Sequence, residues 1–256
     1  MKYKCVAFEQ KDGVGMIMLN RPHMGNRING QLAQELMDVC TQVQSSDQLR
    51  VIIITGTGEQ SFCLGSESDL ERIFQDNLSA KPCPITEAIA ALKMPVIAAI
   101  NGDAFEMGLE IALACDIRIA AEGARFSLPQ IRHGTIPWCG GTQRLPRIVG
   151  KAKALEMILT GEVLDATEAL HWGLISRVVP AQKLPDVTLE LARDIASKAA
   201  IATSFAKEAI CSGVELTLSQ GLRLESDLYF LLHTTEDRQE GIRAFLEKRR
   251  PCFRSR

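Results

Sequence analysis

Two runs of β-branched residues constrain this chain most. Arg50-Val-Ile-Ile-Ile-Thr-Gly56 and Pro95-Val-Ile-Ala-Ala-Ile-Asn-Gly102 are almost uninterrupted apolar stretches that each end at a glycine. Such runs suit strands buried on both faces, which belong to parallel sheets covered by helices. A third strand, Asp116-Ile-Arg-Ile-Ala120, follows a helical stretch over 108–115, and a helix near 85–92 precedes the second. Strands that alternate with helices predict an α/β architecture. At the N-terminus, segments 3–10 and 14–19 flank Lys11-Asp12-Gly13, the signature of a hairpin with an Asp-Gly turn. Asn29 is placed to cap a helix over 31–43, where Leu32, Leu36, Cys40 and Val43 recur on one face. From about Leu155 the helical pattern dominates. A segment over 216–235 and a charged helix over 236–249, stopped by Pro251, stand apart from the sheet region. No internal repeat or linker is visible. The expected division is a core over residues 1–196 and a helical C-terminal region over 197–256 that docks on the core or on a neighbouring subunit.

Several function classes are disfavoured at this level. The net charge of −2 carries no bulk attraction to nucleic acid or an anionic membrane. The longest apolar run, 94–100, is far below the roughly 20 residues a membrane helix needs. The opening Met1-Lys2-Tyr3-Lys4-Cys5 has no apolar signal core, which points to a cytoplasmic protein. The eight cysteines are scattered singly with no C-x-x-C pair, and are expected to be free thiols. The four histidines form no ligand set, so no metal is expected.

Three Gly-bearing turns remain as candidates for chemistry, because ligands of open α/β sheets gather at strand C-termini. They are Ser61-Phe-Cys-Leu-Gly-Ser-Glu67, Asn101-Gly-Asp-Ala-Phe-Glu-Met-Gly-Leu-Glu110, and the long stretch from Phe126 through Gly140-Gly141 to Leu145. The second turns a strand into a helix, whose first N–H groups have no intrahelical partner and favour developing negative charge. None matches a Walker loop or G-x-G-x-x-G.

Taken in order, these stretches resemble the enoyl-CoA hydratase/isomerase (crotonase) family. The resemblance rests on Pro95-Val-Ile-Ala-Ala-Ile-Asn-Gly102 with its Gly-and-Glu turn and Ala-Cys-Asp116, on Gly134-Thr-Ile-Pro…Gly-Gly-Thr-Gln-Arg-Leu145, and on Leu159-Thr-Gly161. Leu19-Asn-Arg-Pro22 and Glu240-Gly-Ile-Arg-Ala-Phe-Leu-Glu-Lys-Arg249 extend it essentially end to end. It implies a spiral of ββα units with a helical C-terminal region, assembled as a homotrimer or homohexamer. It implies an acyl-CoA thioester substrate, with coenzyme A as part of that substrate and no separate cofactor. The reaction implied is addition of water to a 2-enoyl-CoA, or its removal.

Residue by residue, the family's pair of backbone N–H donors for the thioester oxygen would fall at Leu64 and Met107. Its first catalytic carboxylate would be Glu110, and coenzyme A would run along Leu64, Gly65, Ser66 and Glu67, with Met24, Asn26, Ile28, Gly108 and Trp138 as further contacts. Arg21 and Arg27 could meet phosphates. Trp138 and Cys139 stand where small residues are common, and could narrow the acyl pocket. The departure that matters is Gln130, at the position of the second carboxylate. Glutamine holds water or substrate by hydrogen bonds but exchanges no proton. Three readings follow: Glu110 acts alone as base and acid; His133 or Glu106 supplies the missing proton; or the substrate is a cyclic or dienoyl-CoA. An isomerase, decarboxylase, thioesterase or catalytically weak CoA-binding member of the same fold stays open as the alternative.

Overall fold

The computed structural model describes residues 3–67 and 83–254. Its N-terminal hairpin pairs β1 (Val6–Lys11) with β2 (Val14–Leu19). The two turn residues, Asp12 and Gly13, both take positive φ (52° and 80°), the conformation that matches hairpin twist and that an Asp-Gly pair tolerates. The helix α1 (Gly30–Gln44) starts where Asn29 accepts the Leu32 N–H at 2.9 Å, as its N-cap position predicts.

The chain then winds through repeated strand-strand-helix turns. β3 (Val51–Gly56) leads to β4 (Ser61–Cys63) and, further on, to α2 (Pro84–Ala90). β5 (Val96–Ile100) leads to β6 (Asp103–Phe105) and α3 (Met107–Ala114). β7 (Ile117–Ala121) leads to β8 (Arg125–Ser127), a 3-10 turn (Pro129–His133), α4 (Gly141–Val149) and α5 (Lys151–Thr160). β9 (Leu164–Asp165), α6 (Ala166–His171) and β10 (Arg177–Val179) close the spiral. Each turn donates one strand to a sheet of order β1-β2-β3-β5-β7-β10 and one to a smaller sheet of order β4-β6-β8-β9. All neighbours from β2 to β10 in the larger sheet are parallel. This is the crotonase-type spiral.

The two apolar runs behave as strands covered on both sides. Ile52, Ile54, Val96, Ala98 and Ile100 face the main core with α1, α2 and α3, while Val51, Ile53, Ile97 and Ala99 face a second core. That second face is covered by Leu184, Ala192 and Ala196 of α7 (Leu184–Ala196). Each isoleucine so buried contributes about 1.5–3 kcal/mol. The amino end is anchored differently: the buried Glu35 of α1 accepts the backbone N–H groups of Lys4, Cys5 and Val6.

The C-terminal helices are α8 (Ala200–Gly213), α9 (Leu218–Leu232) and α10 (Glu236–Leu246). They bury little of themselves: Leu218, Leu222, Phe230 and Phe245 are all more than half exposed. Lys207 ties α8 to the sheet through Asp116, 2.7 Å away, and Arg50 reaches the carbonyls of Ala196 and Phe253. No helix among the described residues is long and apolar enough to cross a membrane.

Candidate active site

The turns that follow β4 and β6 lie against one another at the same edge of the spiral. β4 and β6 run parallel, and a side chain on Gly108 would overlap the Cys63 carbonyl, which is why the helix can start so close to the neighbouring strand. Gly65 has φ +107°, and a Cβ there would run into the Glu106 side chain. Glu106 itself sits at φ 50°, ψ −124°, an uncommon conformation for a residue with a side chain, immediately before α3.

This packing revises the expected donor pair. The Leu64 N–H is already given to the Gly25 carbonyl at 2.9 Å, so it cannot receive a thioester oxygen. The cause is the turn over 22–26, which folds over the strand end and uses Leu64 as its partner. One residue on, the geometry is different. Ile28 bridges the loop by donating to the Gly65 carbonyl and accepting from the Glu67 N–H, both at 2.8 Å. In a parallel bridge the intervening residue, Ser66, directs its own N–H to the other side. The Ser66 N–H and the N–H of Met107, first residue of α3, take no partner among the described residues. They are candidate donors, one from each turn, alongside the N–H groups of Gly65, Gly108 and Leu109, which likewise take no partner among the described residues.

Other expected contacts separate into scaffold and surface. Asn26 is fully buried; its side chain accepts the Arg21 N–H and donates to the Thr57 and Ser61 carbonyls, so it braces the turn instead of meeting a ligand. The Ile28 side chain belongs to the core, and only its backbone reaches the loop. Arg21 is committed internally, to the Arg27 carbonyl and to Glu67 Oε1, each 2.7 Å away, the latter as an ion contact not aligned for a hydrogen bond. Arg27 donates to the Ser66 carbonyl at 3.4 Å. Met24 is exposed beside this loop. Gly65 is thus buried, and Ser66 and Glu67 are half-buried at the strand end, braced from behind.

Glu110 carries the distinctive chemistry. It lies one turn into α3 among Leu109, Ile111 and Leu113 and is 1 % exposed. Its Oε1 accepts the N–H of Cys139 at 2.7 Å and of Gly141 at 2.9 Å, while Oε2 takes no hydrogen bond among the described residues. Gly141 must be glycine for this approach, since a Cβ would lie 3.0 Å from Oε1 and 2.7 Å from Pro137 Cβ. Burial pushes the carboxyl up to about 7, against the opposing pull of the two N–H groups and of Arg144; the nearby Glu106 charge adds to the rise. A carboxyl poised there can both take and give a proton near neutrality.

Gln130, on the 3-10 turn, has a buried Oε1 with no hydrogen-bond partner among the described residues. His133 is exposed at the end of the same turn. Trp138 and Cys139 line a cleft of about 440 Å³ with Cys83, Thr86, Gly140 and Arg144. Here the expectation of free thiols fails in part: Cys83 and Cys139 pair as a disulfide, their Cα atoms 4.8 Å apart. Their separation of 56 residues hides the pairing from any local spacing rule. Cys5, Cys40, Cys63 and Cys115 are buried free thiols, as expected of small hydrophobes, and Cys211 and Cys252 are exposed. The backbone donors Ser66, Cys139 and Gly141 are not readable from residue type, because an N–H has no side-chain signature; the only hint is the glycine beside each.

Comparison with known proteins agrees with this geometry. The family model described as enoyl-CoA hydratase/isomerase matches residues 9–256. A probable enoyl-CoA hydratase of Mycobacterium tuberculosis is 40% identical over 260 residues, covering 100% of both chains. The (E)-benzylidenesuccinyl-CoA hydratase of Thauera aromatica is 38% identical, covering 97% of this chain and 98% of its own. The crystal structure of an enoyl-CoA hydratase from Bacillus anthracis superposes with a TM-score of 0.94 at 38% identity, covering 99% of this chain and 100% of that one. Spiral fold, paired strand-end turns and end-to-end similarity together establish that the chain belongs to the enoyl-CoA hydratase/isomerase family.

Proposed function

We propose that this protein adds water reversibly to the double bond of a 2-enoyl-CoA thioester, with Glu110 as base and then acid. The observation that carries the reading is the buried Glu110 carboxyl, fixed through one oxygen and open at the other. Glu110 takes a proton from water as the water oxygen bonds to the β-carbon. The displaced electron pair moves through the α-carbon to the thioester oxygen, which the Ser66 and Met107 N–H groups receive. The enolate then collapses as Glu110 returns the proton to the α-carbon. One such N–H typically contributes about 3 kcal/mol to the transition state. Gln130 fits as the acceptor of the second O–H of the water, supported by its unpartnered buried Oε1. It orients the nucleophile and leaves the proton inventory to Glu110.

Coenzyme A enters this scheme as part of the substrate, along Gly65, Ser66, Glu67 and Met24, with no metal or redox cofactor required. The exposed apolar faces of α8–α10 support a trimer or hexamer in which residues 197–256 make subunit contacts. We place the protein in the cytoplasm, acting on thioesters and not on membranes or nucleic acids.

A finer reading assigns a cyclic or dienoyl acyl group. It is supported by Trp138 on the cleft and by Gln130, and one relative is named as a hydratase of (E)-benzylidenesuccinyl-CoA, whose acyl group carries an aromatic ring. The test is an absorbance assay of enoyl-thioester loss on crotonyl-CoA beside cyclic and dienoyl-CoAs, with a 3-enoyl-CoA to detect isomerase activity. Hydration of at least one 2-enoyl-CoA is expected. Turnover of the 3-enoyl substrate alone would replace hydration with isomerisation. A complex with an unreactive thioester should place its oxygen about 2.7–3.1 Å from the Ser66 and Met107 nitrogens.

A further inference from the structure

Cys83 and Cys139 are 1 % exposed, yet both border the 440 Å³ cleft, which Glu110 does not itself line and meets only through the Cys139 N–H. Their surroundings differ. Cys83 is fastened to the start of α2, where its carbonyl accepts the Glu87 N–H and the Thr86 hydroxyl. Cys139 lies in an irregular stretch between the 3-10 turn and α4, and its N–H is the shorter of the two bonds on Glu110 Oε1. The disulfide is therefore a strut from a fixed helix end to a loop that has little regular structure of its own. We propose that the Cys83–Cys139 pair is a redox-sensitive positioning link for Glu110: closed, it holds the Cys139 N–H on the carboxylate, and opened to two thiols it frees that loop and weakens the bond. This deepens the hydratase reading and rests on Glu110 being its acid–base group.

The chemistry balances with a peroxide as oxidant. One thiolate attacks hydrogen peroxide, giving a sulfenic acid and releasing the first water; the second thiol displaces the hydroxyl as a second water and forms the S–S bond. Two electrons leave the sulfurs and reduce one peroxide to two waters. A dithiol such as dithiothreitol returns two electrons and two protons, and is itself left as a disulfide.

The electrostatic setting gives the sign. The charged groups that act on Glu110 are Arg144 from α4, which lowers its pKa, and Glu106 from the turn before α3, which raises it. Arg144 also donates to the Cys139 carbonyl at 3.2 Å and pairs with Glu87 of α2, while Arg132 on the 3-10 turn is spent on the Gly161 carbonyl. Opening the link weakens a lowering hydrogen bond and loosens the Arg144 contact, so both effects raise the carboxyl pKa. Arg144 still spans from α4 to α2, which limits the change.

The experiment compares the full-length protein after peroxide and after dithiothreitol, with thiols counted by differential alkylation and mass spectrometry. The closed form should show a Cys83–Cys139 peptide. The open form should lose about tenfold in kcat/KM below neutral pH, the effect of roughly one charged hydrogen bond, with its acid limb moved upward. Cys83→Ser should match the open form and ignore dithiothreitol; the Cys139 N–H is untouched by that change. Identical pH profiles for the two wild-type forms would overturn the inference, and need no variant to observe. A dithiothreitol response that survives in Cys83→Ser would also overturn it, pointing to the exposed Cys211 or Cys252. If Glu110→Gln proves fully active, the hydratase reading fails; if it is inactive while redox state changes nothing, only the link fails.

Discussion

Glu35 and Glu110 are both buried carboxylates that accept backbone N–H groups, and they are driven in opposite directions. Glu35 lies under the first strand, and Glu110 lies at the strand-end turns. Burial pushes Glu35 upward, but the N–H groups of Cys5, Lys4 and Val6 and the Gln31 side chain outweigh it, holding the carboxyl below its usual range. Glu110 is more deeply enclosed and has two N–H donors, both on one oxygen, so burial wins. The lesson is about counting. A carboxylate whose two oxygens are saturated with donors is a structural anchor, while one given half that set keeps a free oxygen and a mobile proton.

The largest expected effect separates the two at the level of rate. Glu110→Gln should lower turnover by about 10²–10⁴-fold while leaving coenzyme A affinity nearly intact, because it removes a general acid–base group. Glu35→Gln should leave kcat unchanged at temperatures where the fold persists. Stability should invert that ranking. Glu35→Ala strands three backbone N–H groups and is expected to cost about 3 kcal/mol, read from denaturant melts.

Next comes the dependence of stability on pH, where the signs are opposite. Glu35 has a lowered native pKa, so its contribution is present above the ordinary carboxyl range and is lost as pH falls through the lowered value. Glu110 has a raised native pKa of about 7, so the cost of keeping it in the fold grows as pH rises from the ordinary range towards 7. Glu110→Gln should therefore stabilise the protein at pH 8, by on the order of 2 kcal/mol, and do little at pH 4. Melting curves of both variants at the two pH values check this.

Gln130→Glu sharpens the same contrast with a smaller effect. If Gln130 only orients the water that Glu110 deprotonates, a carboxylate in its place should raise the Glu110 pKa further and reduce native activity several-fold. A rise in crotonyl-CoA hydration would instead identify Gln130 as a lost proton donor.

Much of this arrangement is legible in the amino-acid sequence. The Asp12-Gly13 hairpin, the Asn29 cap, both apolar strands and Glu110 on an apolar helix follow from local chemistry that a short window contains. The second sheet is not visible there, because β4, β6 and β8 are three residues long and β9 two, too short for a period-2 pattern. The spiral repeat is hidden for the same reason. Ser66 replaces Leu64 as the candidate donor because sequence ranks a loop's residues by type, whereas donor availability depends on which side of a bridge each N–H faces. The role of Glu35 and the Cys83–Cys139 pair depend on contacts about 30 and 56 residues apart, which spacing rules do not reach.

The central claim is that one carboxyl, Glu110, holds the proton inventory of the site. The most direct test is the pH dependence of kcat/KM for the hydrated substrate in wild type, Glu35→Gln and Glu110→Gln. The expected result is an acid limb titrating near pH 7 in wild type and Glu35→Gln, and a low, flat profile in Glu110→Gln. An acid limb near 7 that survives in Glu110→Gln at undiminished rate would contradict the account and assign the proton to another group.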